Sequence, residues 1–334
     1  MPRSGPRVRL DLLTAIQGNY ACEVAIGLIK TGVFDLLNVA WEVSFLAEYL
    51  GLDAKLLGLS LDFLERTTDL VERDGVGRYR IGSSSPAEVV FQLQKFVGAY
   101  GGSVRSLHGA LRGRPKGKAV NESALAAAFS AVGNVSSKVT KQLQQAGCRS
   151  LLDIGCGPAS LSIEMALADD QFRGIGLDSS NAMCRLAKSR VRSSGVSSRV
   201  QIYCADVRQI CRLLDPQKRL QIDALHGRSL LNAFFGRGQN AACALLRKLR
   251  LAFPGRTAYF VDYYSELGTF RPKGNFRLAQ IHDLAQLASG QGIPPHDREG
   301  WHSLYRRAGC ELLSGDDIQG DDIRWFIHAV RLCH

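Results

Sequence analysis

Nowhere does this 334-residue chain run the ~18 unbroken apolar residues that a membrane-spanning helix needs. Its most apolar stretch, Ile16–Leu37, is interrupted by Gln17, Asn19, Glu23 and Lys30, so no membrane association is expected. The N-terminus, MPRSGPRVRLDLL, is basic but lacks an apolar region followed by a small-residue cleavage site, and no export signal is expected. No C-x-x-C pair occurs. The nine cysteines are scattered, the closest two being Cys204 and Cys211. Such spacing supplies neither a metal site nor a disulfide framework, and it points to reduced thiols in a cytoplasmic protein without a metal. Acid is in short supply: 31 Asp and Glu stand against 42 Lys and Arg, a net charge of +11. That excess raises nucleic acid as a partner. It is spread along the chain, however, and its one dense cluster, Arg105 to Lys118, is almost without aromatics, so it reads as a solvated connector and not a base-stacking groove.

What is present is a globular composition, 46% apolar and 22% charged, long enough for two domains. The chain is organised around Leu151–Ala159, LLDIGCGPA. Leu151 to Ile154 reads as a buried strand, Gly155-Cys156-Gly157 as a loop, and Leu161 to Leu167 as the start of a helix. Strand, glycine turn and helix bring backbone N–H groups against a nucleotide-like ligand, with Gly155 and Gly157 leaving room for close approach. Cys156 reads as a small residue and not a nucleophile.

Downstream, strands and helices alternate: Phe172–Leu177, Val200–Cys204, Asp223–His226 and Thr257–Asp262 as strands, then a helix His302–Ala308 and closing strands Cys310–Leu313 and Trp325–Leu332. This predicts an α/β, doubly wound parallel sheet. Asp153 lies in the first strand, Asp178 ends the second and Asp206 follows the third. Three acids in register at strand ends suit two ribose hydroxyls (Asp178) and an exocyclic adenine amine (Asp206).

Upstream, helical spacing over residues 11 to 37, two short helices Val43–Tyr49 and Ala54–Thr67, and a hairpin closed by Asp74-Gly75-Val76-Gly77 predict a winged-helix domain over residues 1–82. Its would-be recognition helix sets Lys55 and Arg66 against Asp62, Glu65 and Asp69, too acidic for a groove lined by phosphates. Residues 83–147 read as a helical linker and pocket region, with Glu122–Gln145 as one long helix stopping at Gly147, and residues 148–334 as the nucleotide-binding domain.

The sequence resembles the class I S-adenosylmethionine-dependent methyltransferases. LLDIGCGPA looks like their first motif, GIGLDSS their acidic second-strand end and YCADVRQ their adenine-contacting segment, with Ala159 where a third glycine is usual. The resemblance implies a Rossmann-like seven-stranded sheet with S-adenosylmethionine held by Asp153, Gly155, Gly157, Asp178 and Asp206. A dinucleotide dehydrogenase is disfavoured by the glycine spacing. The front segments TGVFDLL, LAEYLGLD and GRYRIG are similar to the dimerisation domain of small-molecule O-methyltransferases, which implies a homodimer in specialised metabolism. YGGSVRSLHGALRGRPKG and HDLAQLASGQGIPP look closest to bacterial 2-oxo acid C-methyltransferases. The family's general-base His-Asp pair is replaced by Asn232 and Ala233, and only His282 stands at the later position. Three functions stay open. The first is methyl transfer to a small polar acceptor oriented by Tyr100, Asn232 and His282. The second is cyclisation of S-adenosylmethionine itself to azetidine-2-carboxylate with loss of methylthioadenosine, Asn134 and Ser137 joining Tyr100 at the methionine end. The third is a non-catalytic dimeric binding or regulatory protein.

Overall fold

The computed structural model describes residues 10–82, 86–112, 120–132, 138–268, 276–319 and 322–333. Its centre is a seven-stranded sheet made of β3 (Ser150–Ile154), β4 (Arg173–Asp178), β5 (Val200–Cys204), β6 (Ala224–Arg228), β7 (Thr257–Tyr263), β8 (Cys310–Gln319) and β9 (Arg324–Leu332). The hairpin β1 (Val71–Arg73) and β2 (Tyr79–Ile81) stands apart in the N-terminal part. The sheet order is β5-β4-β3-β6-β7-β9-β8. β3 is central and apolar on both faces, Leu151, Leu152 and Ile154 all being buried, as a strand covered by helices on each side must be.

The five strands from β5 to β7 are parallel, but β9 runs antiparallel to β7, and β8 antiparallel to β9. The doubly wound parallel sheet expected from the repeated strand–helix units is thus found in those five strands, and the two closing strands make the whole sheet mixed. Between β8 and β9 the chain has no room for a crossover helix, and so short a connection can only fold back as a hairpin. β4 starts and ends one residue later than the expected Phe172–Leu177, so that Asp178 is its last residue. The late helix begins four residues early, at Arg298, because Asp297 caps it by accepting from Gly300 N–H at 2.9 Å. The segment expected as one helix is two, Glu122–Ala131 and Lys138–Gln145.

The N-terminal helices Leu12–Lys30, Val33–Leu36, Val43–Leu50 and Ala54–Thr67 close with the hairpin over their own core, in which Phe34, Leu46, Leu61 and Leu64 are fully buried. Gly51 ends the third helix in the left-handed region (φ +66), and Asp53 caps the fourth by accepting from Leu56 N–H. Despite its polar breaks, Leu12–Lys30 is long and apolar enough to cross a membrane by length and composition alone. In the fold it gives Ala21, Ala25, Ile26 and Leu28 to the N-terminal layer.

Between the two parts, Pro86–Leu93 runs into a π-helical turn, Gln94–Ala99, and then a short helix Gly101–Arg105. The turn is closed by Tyr100 N–H donating to the Lys95 carbonyl at 3.1 Å, five residues back. Ala99 and Tyr100 pack on Ala285 of the helix Arg277–Ser289, which fastens this bridge over the carboxyl ends of the sheet.

Candidate active site

At the end of β3 the chain turns through Gly155 (φ +68) and Gly157 (φ +52) into the helix Ser160–Ala168. Both glycines sit where L side chains are strained. Among the described residues, a Cβ on Gly157 would meet no atom within 4 Å, and one on Gly155 only Leu230 at 3.7 Å. The loop therefore faces open space, a cradle rather than a packed turn. Asp178 ties it to β4, one carboxylate oxygen accepting from Gly157 N–H at 3.0 Å and the other from Ser180 N–H at 2.9 Å. Burial pushes the Asp178 carboxyl above its ordinary range, against the pull of those two donors. Asp153 is 2% exposed and pairs with His226 on the neighbouring β6 at 2.7 Å, two residues in register across the ladder. Burial, then the charges of Asp153 and Asp178, pushes the Cys156 thiol well up, so it is no nucleophile. Asp206 caps the turn after β5, and its carboxylate is also gripped by its neighbour Arg208, whose hydrogen bonds hold its pKa down.

A second group of side chains gathers one and two strands away, at the carboxyl ends of β6 and β7 and beneath the bridge. Asn232 lies in the 3₁₀ segment Leu231–Arg237, 1% exposed, and its buried Nδ2 has no partner among the described residues. Its backbone N–H helps hold the carboxylate of Asp262, the next-to-last residue of β7. Burial raises Asp262 to about 7, although Arg228 at the end of β6 acts against it. His282 is buried, with Lys95 Nζ 3.1 Å from its Nε2 and the Gln286 amide 2.9 Å from its Nδ1. Burial first, then the Lys95 charge, takes the His282 pKa well below its usual value. The ring is thus neutral. When Lys95 is charged it can only donate to Nε2, so Nδ1 carries the proton and the Gln286 amide must turn its oxygen toward it. The chain of bonds continues through Tyr263, whose hydroxyl lies 3.4 Å from Gln286 and donates to Asp283 at 2.7 Å, and Asp283 in turn accepts from the N–H groups of Glu266 and Leu267. Tyr100 is buried beside this network and bonds to Gln291.

Of the residues singled out in the sequence, Gly155, Gly157, Asp153 and Asp178 meet at the cradle. Tyr100 and His282 both lie by Tyr263, and Asn232 is tied by its backbone to Asp262, the residue before that tyrosine. Asp206 is engaged with Arg208, and Asn134 and Ser137 lie outside the described residues. Lys95, Arg228 and Asp262 went unmarked. Lys95 carried a signal, being the one charge between Val89 and Val104. Arg228 is the second residue of GRSLLNAFF, four before Asn232.

A family profile described as a methyltransferase domain matches residues 151–248. No curated protein matches the sequence. Among solved structures, the mitomycin 7-O-methyltransferase MmcR superposes with a TM-score of 0.67 at 15% identity, covering 96% of each chain. The N,N-8-amino-8-demethyl-D-riboflavin dimethyltransferase RosA from Streptomyces davawensis gives 0.60 at 19% identity over 97% of this chain and 99% of its own. LepI, solved with SAH and a substrate analogue, gives 0.68 at 14% identity over 98% of this chain and 90% of its own. The chain has the class I methyltransferase fold, and residues 151–248 match the profile of a methyltransferase domain. The cofactor of such domains is S-adenosylmethionine. The residues present fit it: an open glycine cradle at a helix N-terminus, with a buried acid at the tip of the adjacent strand.

Proposed function

We propose that this protein is an S-adenosylmethionine-dependent enzyme of specialised metabolism that transfers a methyl group to a small polar acceptor. The observation that carries the reading is the open cradle of Gly155 and Gly157, together with the buried amide donor of Asn232, past the end of β6, which has no partner among the described residues. Bound there, the sulfonium supplies an already activated methyl group. The chain's own task is to hold the acceptor in line and keep water away. Asp178 fixes the loop and keeps lone pairs for the ribose hydroxyls, Asp153 with His226 walls the cradle, and Asn232 and Tyr100 orient the acceptor. His282 acts through Lys95, which takes its lone pair. Asp206 serves the adenine amine if it shares its carboxylate between that amine and Arg208. The domain division at residues 82 and 147 belongs to the same reading, with a winged-helix front part that pairs two copies.

Purified protein incubated with S-adenosylmethionine alone should be silent, and with a competent acceptor should release S-adenosylhomocysteine, both followed by mass spectrometry. Methylthioadenosine with a cyclic amino acid in the acceptor-free sample would overturn methyl transfer in favour of cyclisation. Asp178→Ala removes the acceptor of two backbone N–H groups, and it should weaken S-adenosylhomocysteine binding by at least about tenfold in calorimetry.

A further inference from the structure

Two thiols that stand apart in the sequence meet beside Asp178. Cys184 belongs to the helix Asn181–Ser193, where it shares a buried stripe with Ala187 and Val191 at positions i, i+3 and i+7. That stripe packs on the face of β5 that Ile202 and Cys204 present, two residues apart along the strand. Cys184 Sγ lies 3.4 Å from the carbonyl oxygen of Asp178 and 4.0 Å from that of Tyr203, and Asp178 is the register partner of Cys204. Cys204 Sγ lies 3.2 Å from the amide oxygen of Asn181, one helical turn before Cys184. Helix and strand thus bring the two sulfurs together, and the thiols hydrogen-bond to each other.

Their surroundings give the two sulfurs different tasks. Cys184 is 3% exposed, and burial first, then its contact with Cys204, pushes its thiol up to about 12, so it keeps its proton. Cys204 is exposed at the end of β5, two residues before Asp206, and an oxidant arriving from solvent meets it first. With hydrogen peroxide the chemistry balances. The Cys204 sulfur takes one oxygen as the O–O bond breaks, and the other oxygen leaves as water. The resulting sulfenic acid carries no charge, which removes the part of the Cys184 rise that the Cys204 charge supplies. Cys184 then attacks the Cys204 sulfur. The S–S bond forms, the S–O bond breaks, and the departing hydroxide takes the thiol proton to become a second water. Two electrons pass from the pair of sulfurs to the peroxide.

We propose that Cys184 and Cys204 form a reversible disulfide that weakens cofactor binding by disturbing the hold of Ser180 on Asp178. Ser180 caps the helix that carries Cys184, and its N–H donates to one Asp178 oxygen. A disulfide sets its sulfurs about 2.05 Å apart, closer than two thiols in contact, so closing it draws the first turn of that helix toward β5. It also removes the thiol that donates to the Asp178 carbonyl. The effect on binding rests on the S-adenosylmethionine reading, whereas the cross-link does not.

Reduced wild type, Cys184→Ser and Cys204→Ser are each treated with about a tenfold molar excess of hydrogen peroxide, blocked with N-ethylmaleimide, digested with trypsin and mapped by mass spectrometry. Trypsin places the two cysteines in separate peptides, Gly174–Arg185 and Val200–Arg208. The wild type should yield these two joined, lighter by two hydrogens and released by dithiothreitol. Cys184→Ser should instead carry a sulfenic acid on Cys204, trapped by dimedone, and Cys204→Ser should yield neither product. In calorimetry, S-adenosylhomocysteine affinity of the wild type should fall about threefold or more on oxidation and return on reduction, while peroxide leaves Cys204→Ser unchanged. Melting temperatures identify any variant that has lost its fold, and the wild-type peptide map stands without the variants. Absence of the joined peptides, or Cys204 joined chiefly to another cysteine, overturns the pair. The joined peptides with affinity changed by less than about threefold overturn its control of the cofactor. If reduced wild type does not bind S-adenosylhomocysteine at all, the cofactor reading itself falls, and the peptide map still decides the disulfide.

Discussion

Asp262 shows how one buried carboxyl shapes the chemistry around it. It is 2% exposed, accepts from Tyr263 N–H at 3.0 Å, and has its pKa raised by burial to about 7. A carboxyl raised by folding holds its proton more tightly in the folded than in the unfolded chain. Its contribution to stability is therefore full below the unfolded value near 4 and is lost as pH rises through about 7. Asp262→Asn should remove that slope. Urea titrations should show wild-type unfolding free energy falling between about pH 4 and pH 7, and the variant's staying flatter, with a difference of roughly 2–4 kcal/mol accumulated across the interval. Equal slopes would mean that Asp262 is not the group responsible. Near neutral pH the same carboxyl is half-ionised beside Arg228, so its state also tunes the field in the cleft. Residues such as Asp178 could be read from the sequence because a strand end places its acid by simple counting. Lys95 could not, because a π-helical turn breaks the 3.6-residue spacing by which faces are assigned. Asp262 could not either, because its raised pKa depends on burial between β6 and β9.

At the level of elements, the site depends on one backbone contact. A Cβ built on Gly236 would stand 1.8 Å from the Gly290 carbonyl oxygen, and one on Gly292 (φ +90) 2.3 Å from Gly236 N. The 3₁₀ segment that carries Asn232 is thereby pressed against the loop that ends the His282 helix, with no room for a methyl group between them. Gly236→Ala should cost about 3 kcal/mol or more in urea denaturation. Gly102→Ala, in a short helix with none of the described residues within 4 Å of the added Cβ, should stay within about 1 kcal/mol of the wild type. A mild effect at Gly236 would show that the loop can yield. Elements of this kind were legible in proportion to how local their causes are. Val200–Cys204 is a strand of the same bounds in sequence and in structure, since an apolar run between breakers is all it needs. The antiparallel edge β8–β9 was not legible as such, because strand direction follows from the space available to the connection and not from the strand's own residues.

Across the whole molecule, exposed large apolar side chains concentrate in the N-terminal part. Leu12, Leu13, Tyr20, Phe45, Tyr49 and Leu56 are each more than 60% exposed. A surface of that kind suits pairing with a second copy. If the two copies meet there, Leu13→Glu with Tyr20→Glu should convert the dimer to a monomer in sedimentation velocity, while far-UV circular dichroism stays unchanged. A wild type that sediments as a monomer at tens of micromolar would count against the pairing. The π-helical turn, finally, lets this bridge carry one residue more than a regular helix would. In a regular helix, residues five apart stand about 140° around the axis. The wide turn, with Tyr100 bonded back to Lys95, draws the two toward one side. Loss of a single residue there, Gly98 for instance, would restore regular winding and leave Lys95 and Tyr100 four apart, about 40° around the axis and still on one side. The wide turn is thus the means by which the chain carries an extra residue between two side chains without parting them, and their shared side should survive that deletion.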